Sequence, residues 1–288
     1  MRLSIAFVAS TIATVAVIAA PMNIKRGLSK SNIGVLNFAL TLEHLEAAFY
    51  TLGLEKFDDE AFRSVGLLSS VREQFVHIKD HESTHVETLK AVIENAGGVP
   101  VPECKYNFPL TDIHSFVNIA RALETTGVSA YLGAAANFNG NLLTGAASIA
   151  TVEARQSSFL NELTGLEGAP YNFDTPLDAR QVFTMASQFI ESCPFNLGVE
   201  PFTQLKATLP DHGDKVMVSF EGEEHHKKTW CQFLFSDSVV VSPIEKCAIP
   251  SDAIGYFYLL ITDTARPITF NNDRHIVAGP ALLFNGDH

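Results

Sequence analysis

The sequence predicts a mainly α-helical protein: a four-helix bundle with a fifth helix, followed by a small β-rich C-terminal module. Three observations predict it. Residues 31–200 carry apolar stripes at three- and four-residue steps, the period of a helix. Glycine and proline clusters cut those stripes into segments of helical length. From about residue 203 onward, Val, Ile, Phe and Tyr gather in short runs bounded by turn residues, which is how strands read. With 288 residues, 47% hydrophobic and 18% charged, the chain can bury a sizeable core.

The first helix is expected from Ser31, a candidate N-cap, to about Leu54. The second spans roughly 66–96 and stops at Gly97-Gly98. Pro100, Pro102 and Pro109 keep residues 98–110 out of a helix. Thr111-Asp112 caps a third helix that runs to about Ala136, and an Asn/Gly loop over 137–141 separates it from a fourth, about 143–164. Thr175-Pro176 is expected to open a fifth helix, with proline at its first position, and Cys193-Pro194 to end it. Strands are expected over 215–220, 229–243, 255–263 and 275–284. The boundary between bundle and β module is placed at 202/203, giving 27–202 and 203–288.

The N-terminus reads as a targeting segment. Met1-Arg2 precedes an uncharged apolar run from Leu3 to Ala20, closed by small residues, as in a cleavable secretory signal over 1–19. An uncleaved anchor is the rival reading, because the run is nearly long enough to span a bilayer. Residues 20–26 then form a short propeptide ending in the dibasic pair Lys25-Arg26. The four cysteines, 104, 193, 231 and 247, allow three pairings in an oxidising compartment. Cys231–Cys247, closing a local loop, and Cys104–Cys193, stapling one end of the helical part, are the favoured pair.

Chemistry concentrates on the helix stripes. In the second helix Phe75, Ile78, Glu82, His85, Leu89 and Val92 share one face, which is apolar except at Glu82 and His85. The first helix repeats the anomaly with Leu36, Ala39, Glu43, Ala47, Tyr50 and Leu54. The third does so with Val117, Ala120, Glu124, Gly127 and Tyr131. The fourth carries Ala146, Ile149, Glu153, Gln156 and Leu160. The chain thus contains two copies of one unit: a helix with Glu and Tyr seven residues on, then a helix with Glu-x-x-(His or Gln). A core-facing carboxylate costs several kcal/mol, of the order of ~3–5, unless it is paired or binds a metal. Four together imply a dinuclear centre, because two divalent ions balance four carboxylates. Glu46 and Glu87, acids near these stripes, fit a solvated helix edge and argue the other way.

The runs Asn37-Phe-Ala-Leu-Thr-Leu-Glu-His-Leu-Glu-Ala-Ala-Phe-Tyr50, Asp80-His-Glu-Ser-Thr-His85, Ala122-Leu-Glu-Thr-Thr-Gly-Val-Ser-Ala-Tyr131 and Val152-Glu-Ala-Arg155 resemble the secreted fungal ferritin-like family. That family includes stress-response and late-sexual-development proteins and is related to plant desiccation-related proteins. Phe189-Ile-Glu-Ser-Cys-Pro194 and Ala278-Gly-Pro-Ala281 resemble its later segments. The resemblance implies a ferritin-like bundle with a di-iron or other transition-metal pair at Glu43, Glu82, His85, Glu124 and Glu153. The sixth family position is usually His and here is Gln156, which offers only a weak carbonyl ligand. Tyr50 and Tyr131 are expected to orient the carboxylates from behind. The linker between the second and third helices, about 13 residues, reaches roughly 43–47 Å. That spans a helix of about 30 residues, as the single long crossover of such bundles requires.

Three functions follow as expectations. The first is a secreted metal-binding protein, oxidase- or ferroxidase-like. The second is a structural or stress-protective protein with a degenerate site. The third is a binding protein acting on cell-wall carbohydrate or another protein through the β module. A formal charge of −12 argues against nucleic acid and anionic membrane surfaces as partners. His77 and His81 rotate away from the Glu82 stripe, and His225-His226-Lys227-Lys228 reads as an exposed loop. No Ser-His-Asp order, phosphate loop, dinucleotide fingerprint or N-glycosylation sequon occurs. The sequence leaves oligomeric state open.

Overall fold

A computed structural model describes residues 30–210, 212–223, 228–269 and 272–286. The signal and propeptide segments and the His225–Lys227 part of the basic run lie outside these residues. Among the described residues, no helix is long and apolar enough to cross a membrane.

Four long helices form the bundle: α1 (Lys30–Lys56), α3 (Ser69–Asn95), α4 (Ile113–Ala134) and α5 (Gly140–Leu163), with a short α2 (Asp59–Ser64) between the first two. α1 packs along α3, and α4 along α5. At the end of α3, Gly97 turns the chain at φ +84°, a conformation suited to glycine, and the Gly98 N–H returns to the Ile93 carbonyl. The crossover to α4 is pinned on α1 by Asn37. Its amide donates to the Val99 carbonyl (3.1 Å), and its side-chain oxygen accepts from the Val101 N–H (2.9 Å). Asp112 and Ser115 then cap α4 reciprocally.

Two helix assignments differ from the sequence reading. The short α2 was not expected; Asp58 caps it by accepting from the Ala61 N–H. The fifth long-range helix, α6, is Ala179–Ser187 and does not begin at Pro176. Its cap is Asp178, whose reciprocal bonds with Gln181 outweigh the proline signal two residues earlier. The chain after α6 continues as a strand. β2 (Ile190–Ser192) pairs antiparallel with β1 (Lys105–Tyr106), beside the Cys104–Cys193 disulfide. The second disulfide joins Cys231 to Cys247.

The C-terminal part holds a hairpin of β3 (Leu205–Thr208) and β4 (Met217–Phe220). It also holds β5 (Trp230–Phe235), β6 (Ser238–Pro243), β7 (Tyr256–Thr262) and β8 (Ile276–Phe284), an antiparallel sheet in the order β6-β5-β7-β8. Every residue of β7 is buried, so this strand reads as a continuous apolar run rather than an alternation. Phe233, Phe257, Leu259 and Ile261 face the β3–β4 hairpin and pack with Leu205, Val216 and Phe220. Leu234, Tyr256, Tyr258 and Leu260 face the helices and pack with Leu177, Val182 and Met185. α6 therefore sits between sheet and bundle. The Tyr258 hydroxyl completes the join, lying 2.7 Å from Ser129 Oγ and donating to the Thr125 carbonyl at 3.1 Å, next to Glu124 on α4.

Candidate metal centre

Each bundle helix buries the glutamate that interrupts its apolar stripe. α1 supplies Glu43, α3 Glu82, α4 Glu124 and α5 Glu153. Glu82, Glu124 and Glu153 expose none of their surface, and Glu43 only 1%. His85 and Gln156, one turn beyond Glu82 and Glu153, are buried with them.

Four of these six residues converge tightly. Glu43, Glu82, His85 and Glu153 each place one ligand atom within 4.8 Å of the others. His85 Nδ1 lies 3.0 Å from Glu82 Oε2, 3.2 Å from Glu43 Oε2 and 3.6 Å from Glu153 Oε1. Glu124 and Gln156 stand outside this set of four. Glu124 accepts from the Tyr50 hydroxyl at 2.5 Å, and the Gln156 amide donates to Glu82 Oε1 at 2.8 Å. The tyrosines cross over: Tyr50 on α1 serves Glu124 on α4, while Tyr131 on α4 donates to Glu43 on α1. Positions 43 and 50 of α1 thus face 131 and 124 of α4, an antiparallel arrangement about a pseudo-twofold axis.

The electrostatics follow from burial. Removal from water pushes the carboxyls of Glu124 and Glu153 well above the usual range, and neighbouring carboxylates add to the shift. Burial also raises Glu82, to about 7, although the His85 hydrogen bond pulls it down. For His85 burial works downward. The hydrogen bonds and charges of Glu43 and Glu82 override it and push the imidazole up to about 10. Burial and the adjacent carboxylates raise Tyr50 and Tyr131, so both hydroxyls stay protonated donors.

The donor set fits a bound cation. Both oxygens of Glu153, Glu124 Oε2 and Gln156 Oε1 are buried without a hydrogen-bond partner. With the carboxylates ionised, all four are acceptors. Native interiors rarely leave such groups unpaired, and each costs about 1–3 kcal/mol when they do. A cation among them would supply the missing partner. Gln156 turns its amide nitrogen to Glu82, which leaves its oxygen unpartnered. The buried Arg121 is committed elsewhere, stacked 3.7 Å over the Phe284 ring and donating to Thr164 Oγ1.

Glu46, which the sequence analysis set on a solvated edge, is buried beside these residues. It is 5% exposed and not on a solvated edge. Burial, then the charges of Glu43, Glu124 and Glu82, push its carboxyl well above the usual range. Its signal was the i, i+3 spacing from Glu43, which places both on one face. His77 is exposed; His81 is too, yet its Nδ1 lies 3.4 Å from the Gln156 amide nitrogen at the rim of the site.

The comparisons with known proteins agree with this geometry. Residues 31–166 match the ferritin-like domain family. The chain is also 27% identical over 164 residues to protein rds1 of Schizosaccharomyces pombe. That alignment covers 55% of this chain and 39% of the relative, so the match spans well under half of that protein's length. The bundle built by α1, α3, α4 and α5 is a ferritin-like domain.

Proposed function

We propose that this chain is a secreted ferritin-like protein that holds a carboxylate-bound pair of transition-metal ions, iron foremost, and acts as an oxidase of the ferroxidase type. The orphaned oxygens of Glu124, Glu153 and Gln156 carry the proposal, because four buried atoms of these residues lack a hydrogen-bond partner. Glu43 and His85 would hold one ion and Glu124 and Gln156 the other, with Glu82 and Glu153 between them. A carboxylate-rich set with one imidazole suits iron or manganese better than zinc or copper. When bound, such a pair supplies one-electron chemistry toward dioxygen or peroxide.

The chain's own groups set the terms. His85 must give up the proton that Glu43 and Glu82 hold on it before its Nδ1 can ligate. The Tyr131 and Tyr50 hydroxyls donate to Glu43 and Glu124, fixing one oxygen of each and leaving the other for a metal. Gln156 is a neutral, weak donor where a histidine would be stronger, so the second ion is held less tightly. The two disulfides suit an oxidising extracellular compartment, in keeping with the signal expected at residues 1–19. The sheet acts as support, because its two faces are covered by the β3–β4 hairpin and by the helices.

Anaerobic titration with Fe(II), followed by metal analysis after desalting, tests the proposal. The expected result is about two ions per chain bound with unequal affinity, followed by oxidation on admitting air faster than free Fe(II) under the same conditions. A folded protein that retains no iron would overturn it.

A further inference from the structure

The fifth buried glutamate has a definite place. Facing positions on α1 and α4 are 43 with 131 and 50 with 124, fixed by the crossed tyrosine bonds. Glu46 therefore stands near the midpoint of α1's side of the site, between the level of Glu43 and the level of Glu124. Opposite it on α4 is Gly127. A Cβ at Gly127 would collide with Glu153 Oε2 and come within 3.3 Å of Glu46 Oε1. The carboxylates of Glu46 and Glu153 thus meet in the space that the missing side chain leaves. Gly127 lies in the middle of α4 with an ordinary helical φ, where glycine weakens a helix relative to alanine. Room for the two carboxylates accounts for it. In the duplicated pattern, position 46 of α1 corresponds to position 127 of α4, each three residues after its glutamate. One copy carries an acid where the other carries only space.

No hydrogen-bond donor among the described residues reaches the Glu46 carboxylate, and only 5% of the residue is exposed. Glu153 beside it has both oxygens unpartnered. A buried carboxylate with no donor costs stability unless something positive stands next to it. We infer that Glu46 is a direct ligand of the metal pair, reaching across it from the α1/α4 side, with Gly127 as the cleft that admits it. This inference rests on the metal-binding reading above. It adds a fifth carboxylate to the four that the bundle helices supply one apiece, and it offsets the weak Gln156 with a charged oxygen donor.

Co(II) is the probe, because its visible spectrum reports ligand number without any turnover. Wild type, E46Q and E46D are titrated with Co(II) under argon, with circular dichroism as the check on folding. E46Q is nearly isosteric and removes the charge; E46D keeps the charge but withdraws the oxygens by one methylene. The inference expects both variants to weaken at least one Co(II) equivalent by on the order of 10–100-fold and to intensify the visible bands as the coordination number falls. Unchanged spectra and affinities in E46Q, with wild type binding normally, would overturn this assignment and leave the proposed metal site standing. Loss in E46Q with wild-type behaviour in E46D would also overturn it, reducing Glu46 to a nearby charge. Wild type that binds no Co(II) would overturn both readings together.

Discussion

The bundle core and the sheet core both bury polar side chains, and they treat them in opposite ways. In the sheet, Gln232 on β5 is fully enclosed and uses both ends of its amide. Its nitrogen donates to Thr262 Oγ1 at 2.9 Å and to the Arg266 carbonyl at 2.9 Å, and its oxygen accepts from the Ile268 N–H at 2.8 Å. In the bundle, five glutamates are enclosed, and four acceptor atoms of Glu124, Glu153 and Gln156 have no partner. The same chain that satisfies an amide in one core leaves carboxylates unsatisfied in the other. The difference teaches that the bundle's polar centre is shaped for something other than its own stability. Gln232 holds a loop to a sheet; the glutamates, in the proposed function, hold a place for cations.

Substitutions should therefore separate the two cores. Glu82→Ala or Glu153→Ala should abolish retention of both ions, and Glu153→Ala should leave the metal-free fold as stable as wild type or more so, because an unpartnered buried carboxyl is removed. Gln232→Ala should do the reverse. Metal binding should be unaffected, and the fold should lose on the order of 3 kcal/mol, since the Ile268 N–H, the Arg266 carbonyl and the Thr262 hydroxyl lose their partner. Metal analysis and denaturant unfolding of the three variants check both halves. Equal destabilisation by the glutamate and glutamine variants would break the comparison.

The pH dependence sharpens it. The carboxyls of Glu46, Glu82, Glu124 and Glu153 titrate higher in the folded metal-free chain than in the unfolded one, where glutamate ionises near about 4.3. Their stabilising contribution is complete below that pH and is lost as pH rises through the folded values, for Glu82 about 7. His85, raised from 6.5 to about 10, acts in the same direction. The metal-free protein should have its highest Tm near about pH 5 and lose several degrees by about pH 8. Metal-loaded protein should show the opposite slope, because binding releases protons and tightens as pH rises. Thermal melts across that range, with and without Mn(II), check the signs. A metal-free Tm that climbs from pH 5 to 8 would contradict the burial of these acids.

Smaller effects follow at the edges. Gln156→His should tighten the weaker ion by about tenfold or more, measured by chelator competition. No change would place Gln156 outside the metal's reach. Tyr258→Phe should cost about 1 kcal/mol by removing its bonds to Ser129 and Thr125, without moving metal stoichiometry.

Much of this arrangement was legible in the sequence, because an acid on an apolar helical stripe is conspicuous. Glu43, Glu82, Glu124 and Glu153 each interrupt such a stripe, and the structure buries all four. Glu46 was not legible. It falls three residues from Glu43, where a solvated edge and a second inward acid look alike until α4 is seen to offer Gly127 opposite. The long strands were readable from their β-branched and aromatic runs. β3, with Leu205-Lys-Ala-Thr208, has no such run and forms by pairing with β4. β1 and β2 are two and three residues long, too short for any period, and form beside a disulfide 89 residues apart in sequence. The start of α6 was misplaced because proline at a first turn and a capping box compete on sequence, and Asp178 with Gln181 prevails in three dimensions.

The account turns on cations lying among the buried carboxylates, and anomalous scattering from crystals grown with Fe(II) measures that directly. It predicts two peaks about 3.5–4 Å apart, flanked by Glu82 and Glu153, with the peak beside His85 the stronger and the one beside Gln156 the weaker. A map with no peak among these residues, in crystals whose bundle is intact, would contradict it.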